Sequence, residues 1–226
     1  MKNILTQSLA KYYLPASSSY SFTKGNTAGN VAVLNAQRSA SKMIQHFFAP
    51  IKALASKPVF SITTDKVIVT VFYYLPVTNQ AINNNTINNL GDVLSKLFGR
   101  PVELRFVKLH YPYLNSYILA QYIALNVEKY NFNQVQRMIL GKTPIVKDTH
   151  SSQALASELP SHIVGIKVRI SGRLLTERVR PRQTVLNTQI GSFSPDNKSF
   201  IDYDSFTSKN THGAYTVKVW ISQRAN

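Results

Sequence analysis

Apolar residues recur along this chain with two different periods, and the places where the period changes outline its elements. Val31, Leu34, Met43, Ile44, Phe47 and Phe48 have helical spacing, and Pro50 ends the helix they predict over 31–48 because proline cannot extend one. Pro58 to Tyr74 then reads as a hairpin: VFSIT, a tight TDK turn, and VIVTVFYY, rich in β-branched and aromatic residues. Residues 78–89 hold six asparagines and no glycine, which predicts a polar loop or the start of a helix. Ile87, Leu90, Val93, Leu94, Leu97 and Phe98 return to helical spacing and stop at Gly99, and Val102 to Leu109 alternates as a strand does.

Beyond Pro112 the pattern predicts a long helix over about 113–130, with Leu114, Ile118, Tyr122, Leu125 and Val127 as its buried stripe, and a second helix over about 132–141. A polar linker with a short helix near 151–159 leads into strands at about 163–171, 183–190, 198–204 and 214–222. Helices followed by an antiparallel sheet make the second half α+β. The organisation expected is an extension over 1–30, one domain over 31–111 and another over 112–226. At 226 residues the chain is long enough to bury a core in each.

Charge changes this picture most between Gly165 and Arg182. Ile166, Val168 and Ile170 alternate with Lys167, Arg169 and Ser171, so an extended strand here buries one face and offers cations from the other. The run continues through Arg173, Arg178, Arg180 and Arg182 with Glu177 as its single acid. In VKVWIS the same alternation buries Val217, Val219 and Ile221 and turns Lys218 and Trp220 to the cationic side, where Trp220 either stacks on a base or covers a helix. A solvated charged face is the bland reading of such a cluster. Against it stands the whole chain: 26 Lys plus Arg face 10 Asp plus Glu, a net +16, and the first acid is Asp65. That balance is the footprint of a nucleic-acid-binding protein.

Rival chemistry finds little support. Without cysteine there are no disulfides, thiolate zinc sites or cysteine nucleophiles. His46, His110, His150, His162 and His212 lack metal-ligand spacing, and no cofactor is expected. Asp202 and Asp204 form the only close acid pair, and period two places them on one face, as a magnesium-dependent nuclease would need. Ordinary pairing with Lys198 and Lys209 explains them more simply. No apolar run approaches the roughly 18 residues that span a bilayer.

The abundance of Asn, Ile, Tyr and Phe beside only 9 Gly points to an A/T-rich genome such as an organelle's. The basic, Ser-rich N-terminus also resembles an imported presequence, but with Met1 in place synthesis inside the organelle is expected.

Three segments carry a resemblance. GIKVRISGRL (165–174), FIDY (200–203) and THGAYTVKVWIS (211–222), in that order, closely resemble the C-terminal domain of small-subunit ribosomal protein three, and the pattern over 31–110 is compatible with the rest of that family. The resemblance implies an N-terminal KH domain of the second type, then the α+β domain. It implies a structural constituent of the small subunit of a mitochondrial ribosome, without catalytic residues. It further implies a seat in the subunit head, beside the channel through which messenger RNA enters. The partners implied are small-subunit ribosomal RNA, neighbouring head proteins and messenger RNA, and the location is the mitochondrial matrix, with the protein encoded in the organelle as in fungi. The family's GxxG loop should fall between Pro76 and Asp92, where VTNQAINNNTINNLGD stands instead, so RNA clamping by the KH-like domain is not expected. By alignment Glu128 to Leu140 occupies the place of a basic helix that supports messenger unwinding, and it keeps only Lys129 and Arg137. The readings from other classes are an organelle-encoded intron nuclease or maturase, which would need recurrent acidic motifs, and a free basic nucleoid protein.

Overall fold

The computed structural model of the chain describes residues 27–63, 65–76, 82–141, 143–145, 161–176, 184–193 and 199–225. The fold is α+β, in two compact units that part between Tyr111 and Pro112.

In the first unit α1 (Thr27–Phe48) precedes β1 (Leu54–Ala55), β2 (Val59–Ile62) and β3 (Val67–Tyr74), and α2 (Asn84–Phe98) precedes β4 (Val102–Leu109). β1 and β2 pair antiparallel with one edge of β3, while β4 runs parallel along its other edge from Val67↔Val102 to Tyr74↔Leu109. Strict alternation along β3 sends Val67, Val69 and Val71 into a core with Ala40, Ile44, Phe48, Leu90 and Leu94. Val31, Leu34 and Val93 share the helical spacing of their apolar neighbours, yet all three are exposed. α1 starts before 31, at Thr27. α2 also starts earlier than its apolar spacing suggested, since Asn83 is the cap whose side chain accepts from Asn85 N. The helix ends at Gly99 with φ 63, a left-handed turn that glycine adopts without a Cβ clash.

The second unit opens with a single 3₁₀ turn (Pro112–Leu114), then α3 (Ser116–Val127), α4 (Phe132–Leu140), β5 (Ser161–Gly172), β6 (Val185–Gly191), β7 (Ser199–Asn210) and β8 (Gly213–Ala225). Its sheet is wholly antiparallel in the order β6-β5-β8-β7. The helix expected over 113–130 is shorter at both ends, because Asn115 caps it and accepts from Ile118 N. Its stripe is also corrected: Leu119, Ala120, Ile123 and Ala124 join Ile118 and Val127 in the core, while Leu114 is 42% and Leu125 52% exposed. SYILAQYIALNV is apolar nearly all round, so periodicity alone could not choose the buried side. These helices pack on Ile166, Val168, Ile170, Tyr215, Val217, Val219 and Ile221 from the inner side of the sheet. β7 and β8 outrun the expected 198–204 and 214–222, pairing without a break from Ser199↔Arg224 to Asn210↔Gly213. The short helix near 151–159 lies outside the described residues.

Candidate nucleic-acid interface

The sheet of the second unit has two unlike sides, and alternation sets both. The inner side is the aliphatic core. Across the outer side the register aligns Gln189, Lys167, Trp220 and Tyr203 in one row, and Asn187, Arg169, Lys218 and Ser205 in the next. A third row holds Val185, Ser171, Thr216 and Thr207, where the two threonine hydroxyls are hydrogen-bonded at 3.0 Å. The Tyr203 and Trp220 rings lie 5.0 Å apart at 30°, and Lys167 Nζ sits 5.4 Å from the centre of the Trp220 ring. Such a row is a mutually supporting stack of a cation and two aromatic planes.

Arg169 stands directly opposite Lys218, an arrangement of like charges that destabilises a sheet unless something offsets it. No described residue pointing to this side is acidic. Asp202 and Asp204 point inward, so they do not neutralise it. Period two also brings Lys209 and Arg224 to this side, two cations outside the sequence-based set. They join the face because β7 and β8 are longer than their apolar cores suggested.

The remaining sequence-predicted residues separate. Arg173 is exposed just after β5, where its carbonyl accepts from Asn210 Nδ2 at 2.8 Å. Lys129 is exposed in the turn after α3 and Arg137 in the last turn of α4, on the helical side of the sheet and apart from Lys167, Arg169 and Lys218. Arg178, Arg180 and Arg182 lie outside the described residues. The glycine of the SGR motif has a structural reason: Gly172 has φ 125, and a Cβ there would meet Ala214 O at 2.5 Å, so the end of β5 could not approach β8 with any other residue.

The acid pair has a structural use. Asp202 is buried on β7 and accepts from the backbone N of Ser116 at 2.9 Å, which satisfies a donor at the N-terminus of α3. Of the two lysines expected to pair with the acids, Lys198 lies outside the described residues. Asp204 accepts from Ser205 N at 2.7 Å. Behind β8, Tyr215 is buried, and its hydroxyl lies 2.8 Å from Glu128 Oε1 and 3.1 Å from the carbonyl of Ala124. Desolvation and the neighbouring Glu128 carboxylate outweigh a hydrogen bond with Ser208 and push the phenol up to about 12. No group of three or more His, Asp or Glu among the described residues is placed to hold a metal ion.

A groove of about 450 Å³ between α2 and β4 is lined by Ile87, Asn88, Gly91, Asp92 and Leu104 among others, with neither Lys nor Arg in its walls. On β4, Glu103 is engaged by Lys66 at 2.7 Å and Arg105 at 2.7 Å, which hold its carboxyl below the usual range. No described helix is long and apolar enough to cross a membrane.

These features define a strongly basic, two-unit α+β protein whose second sheet carries its cations on one side and its core on the other. Residues 53–224 match the family described as mitochondrial ribosomal protein (VAR1). The small ribosomal subunit protein uS3m of Mycosarcoma maydis is 40% identical over 190 residues, covering 75% of this chain and 68% of that protein. The uS3 proteins of Blochmanniella floridana (27% over 176 residues, 75% of this chain and 66% of that protein) and Chlamydia muridarum (26% over 136 residues, 60% and 54%) are also similar. The chain belongs to this family of mitochondrial ribosomal proteins, which bears out the resemblance carried by GIKVRISGRL, FIDY and THGAYTVKVWIS. It is therefore a structural, mitochondrial protein and not an enzyme.

Proposed function

We propose that this protein is a constituent of the small subunit of the mitochondrial ribosome, seated in the subunit head beside the channel through which messenger RNA enters. There it binds ribosomal RNA and adjoining head proteins. The observation that carries this reading is the outer face of the second sheet, where Lys167, Arg169 and Lys218 cluster without an acid. Cations so arranged neutralise phosphates and release counterions, which supplies affinity with little sequence readout. The similar proteins bear small-subunit names.

In this reading 112–226 is the RNA-binding C-terminal domain and 31–111 a KH domain of the second type, with 1–30 as an extension. The order of helix, hairpin, helix and parallel strand supports the KH assignment. Because the loop region lacks a glycine pair, the KH-like domain acts as a packing module rather than an RNA clamp. Lys129 and Arg137, both exposed, face messenger RNA, with Arg173, Arg178, Arg180 and Arg182 adding to the ribosomal RNA contacts. The A/T-rich codon usage implied by the composition favours synthesis within the organelle.

Sedimentation of a mitochondrial lysate tests the reading. The protein is expected to travel with the small ribosomal subunit at low salt and to leave it with RNA contacts weakened at high salt. Recovery as a free protein with magnesium-dependent nuclease activity, lost on Asp202→Asn, would overturn it in favour of an intron-encoded enzyme. A free protein bound to DNA would identify a nucleoid component instead.

A further inference from the structure

The outer face carries something that phosphate neutralisation does not require. Trp220 is the single tryptophan of the chain, yet it stands in the middle of the charged row and not in the core. A large aromatic side chain on a sheet interior strand would normally be covered by a helix, but the described helices of this unit lie on the other side. Tyr203 stacks on it from β7, the last strand of the sheet order, and is itself 44% exposed. Lys167 occupies the opposite side of the Trp220 ring, so the stack grows outward only at its Tyr203 end. Around it are amide and hydroxyl groups, from Gln189, Asn187, Ser205 and Thr207, and the cations Arg169 and Lys218 one row away.

We infer that this face is a stacking platform for unpaired nucleotides of RNA, with Tyr203, backed by Trp220, taking a base on its open side and Lys167, Arg169 and Lys218 taking the flanking phosphates. The inference deepens the ribosomal-RNA reading above and rests on it. The chemistry selects single-stranded RNA over a duplex, because a paired base hides its flat surface between its neighbours and leaves a planar ring nothing to stack against. It selects RNA over an acidic protein segment because carboxylates would satisfy the cations while leaving both rings idle. Open four-stranded sheets with exposed aromatics stack two or three bases in other RNA-binding modules, which shows that the dimensions suit. Adjacent strands stand roughly 4.8 Å apart, so neighbouring positions in a row are within reach of consecutive nucleotides.

The test uses the full-length protein, a short oligouridylate and a blunt RNA duplex of equal length. Because the only tryptophan lies on the proposed platform, its emission should be quenched on saturation with the oligouridylate and not with the duplex. Trp220→Ala and Tyr203→Ala should each weaken oligouridylate binding by about 5- to 100-fold, the equivalent of roughly 1–3 kcal/mol per stacked base. Duplex affinity should change less than about twofold, since it depends on phosphate contacts. Trp220→Phe, which keeps a ring and spares the fold, should retain most of the binding. Unchanged emission at saturation, or an equal loss for both RNAs in the alanine variants, would leave a face that works by charge alone and would overturn the platform while sparing the ribosomal-RNA reading. Binding of neither RNA would sink both. Ultraviolet crosslinking in native small subunits gives the last arm: a nucleotide attached to Tyr203 or Trp220 supports the platform, and a crosslink to another protein's peptide overturns it.

Discussion

Tyr215 shows how a single buried side chain links this fold to pH. Its one proton lies between the Glu128 carboxylate and the Ala124 carbonyl, tying the start of β8 to the C-terminal end of α3. Folding favours the neutral phenol, whose pKa rises from 10.0 to about 12. A folded pKa above the unfolded one gives stability that is fully present below pH 10 and lost as pH rises towards 12. Tyr215→Phe should therefore flatten the alkaline fall in the urea midpoint, followed by Trp220 emission, relative to wild type. At neutral pH it should cost about 1 kcal/mol through the lost hydrogen bond. An identical alkaline profile for both proteins would mean that the phenol is not what titrates. The burial of Tyr215 follows from alternation with Val217 and Val219, but its partner Glu128 is 87 residues away in the chain and has no local signature.

At the scale of elements the same division appears at α3. Its N-terminus is capped twice, locally by Asn115 and across the unit by Asp202 on β7, 86 residues distant from Ser116. Removing the remote cap by Asp202→Ala should destabilise the second unit by about 1–3 kcal/mol, because a backbone donor is then buried without its charged partner. Asp202→Asn, which keeps an acceptor oxygen, should cost less, and urea denaturation separates the two. A neutral outcome for both would return Asp202 to the set of candidate metal ligands. Periodicity located α1, α2, α4 and β2 to β4 because their apolar residues have a clear period and Pro50 and Gly99 mark helix ends, but it missed β1, whose two residues are too few to show one. It misjudged the burial of Leu114 and Leu125, since an element apolar on every side has no preferred face until a sheet covers one. It shortened β7 because SFTSKN is too polar to look like a strand, although β8 supplies its ladder all the way to Asn210.

For the whole molecule the governing quantity is the +16 charge and where it is placed. Replacing Lys167, Arg169 and Lys218 together by Gln should lower the slope of log affinity for ribosomal RNA against log salt by roughly 2 to 3, at about 0.7–0.9 per lost phosphate contact. The fold should survive, because none of the three belongs to the core. An unchanged slope would move the RNA contact to the acid-free stretch before Asp65. The class of protein is legible in the amino-acid sequence by itself: excess cations and the absence of Cys are properties of composition, and the three C-terminal motifs are each contiguous in the chain. So is the split of β5 and β8 into an apolar and a cationic side, because period two is a property of the extended backbone itself. Register between strands is a long-range property, and no local pattern contains it. Only the tertiary structure brought Trp220 between Lys167 and Tyr203, set Arg169 against Lys218, turned Asp202 inward to α3, and carried Lys129 and Arg137 to the other side of the unit.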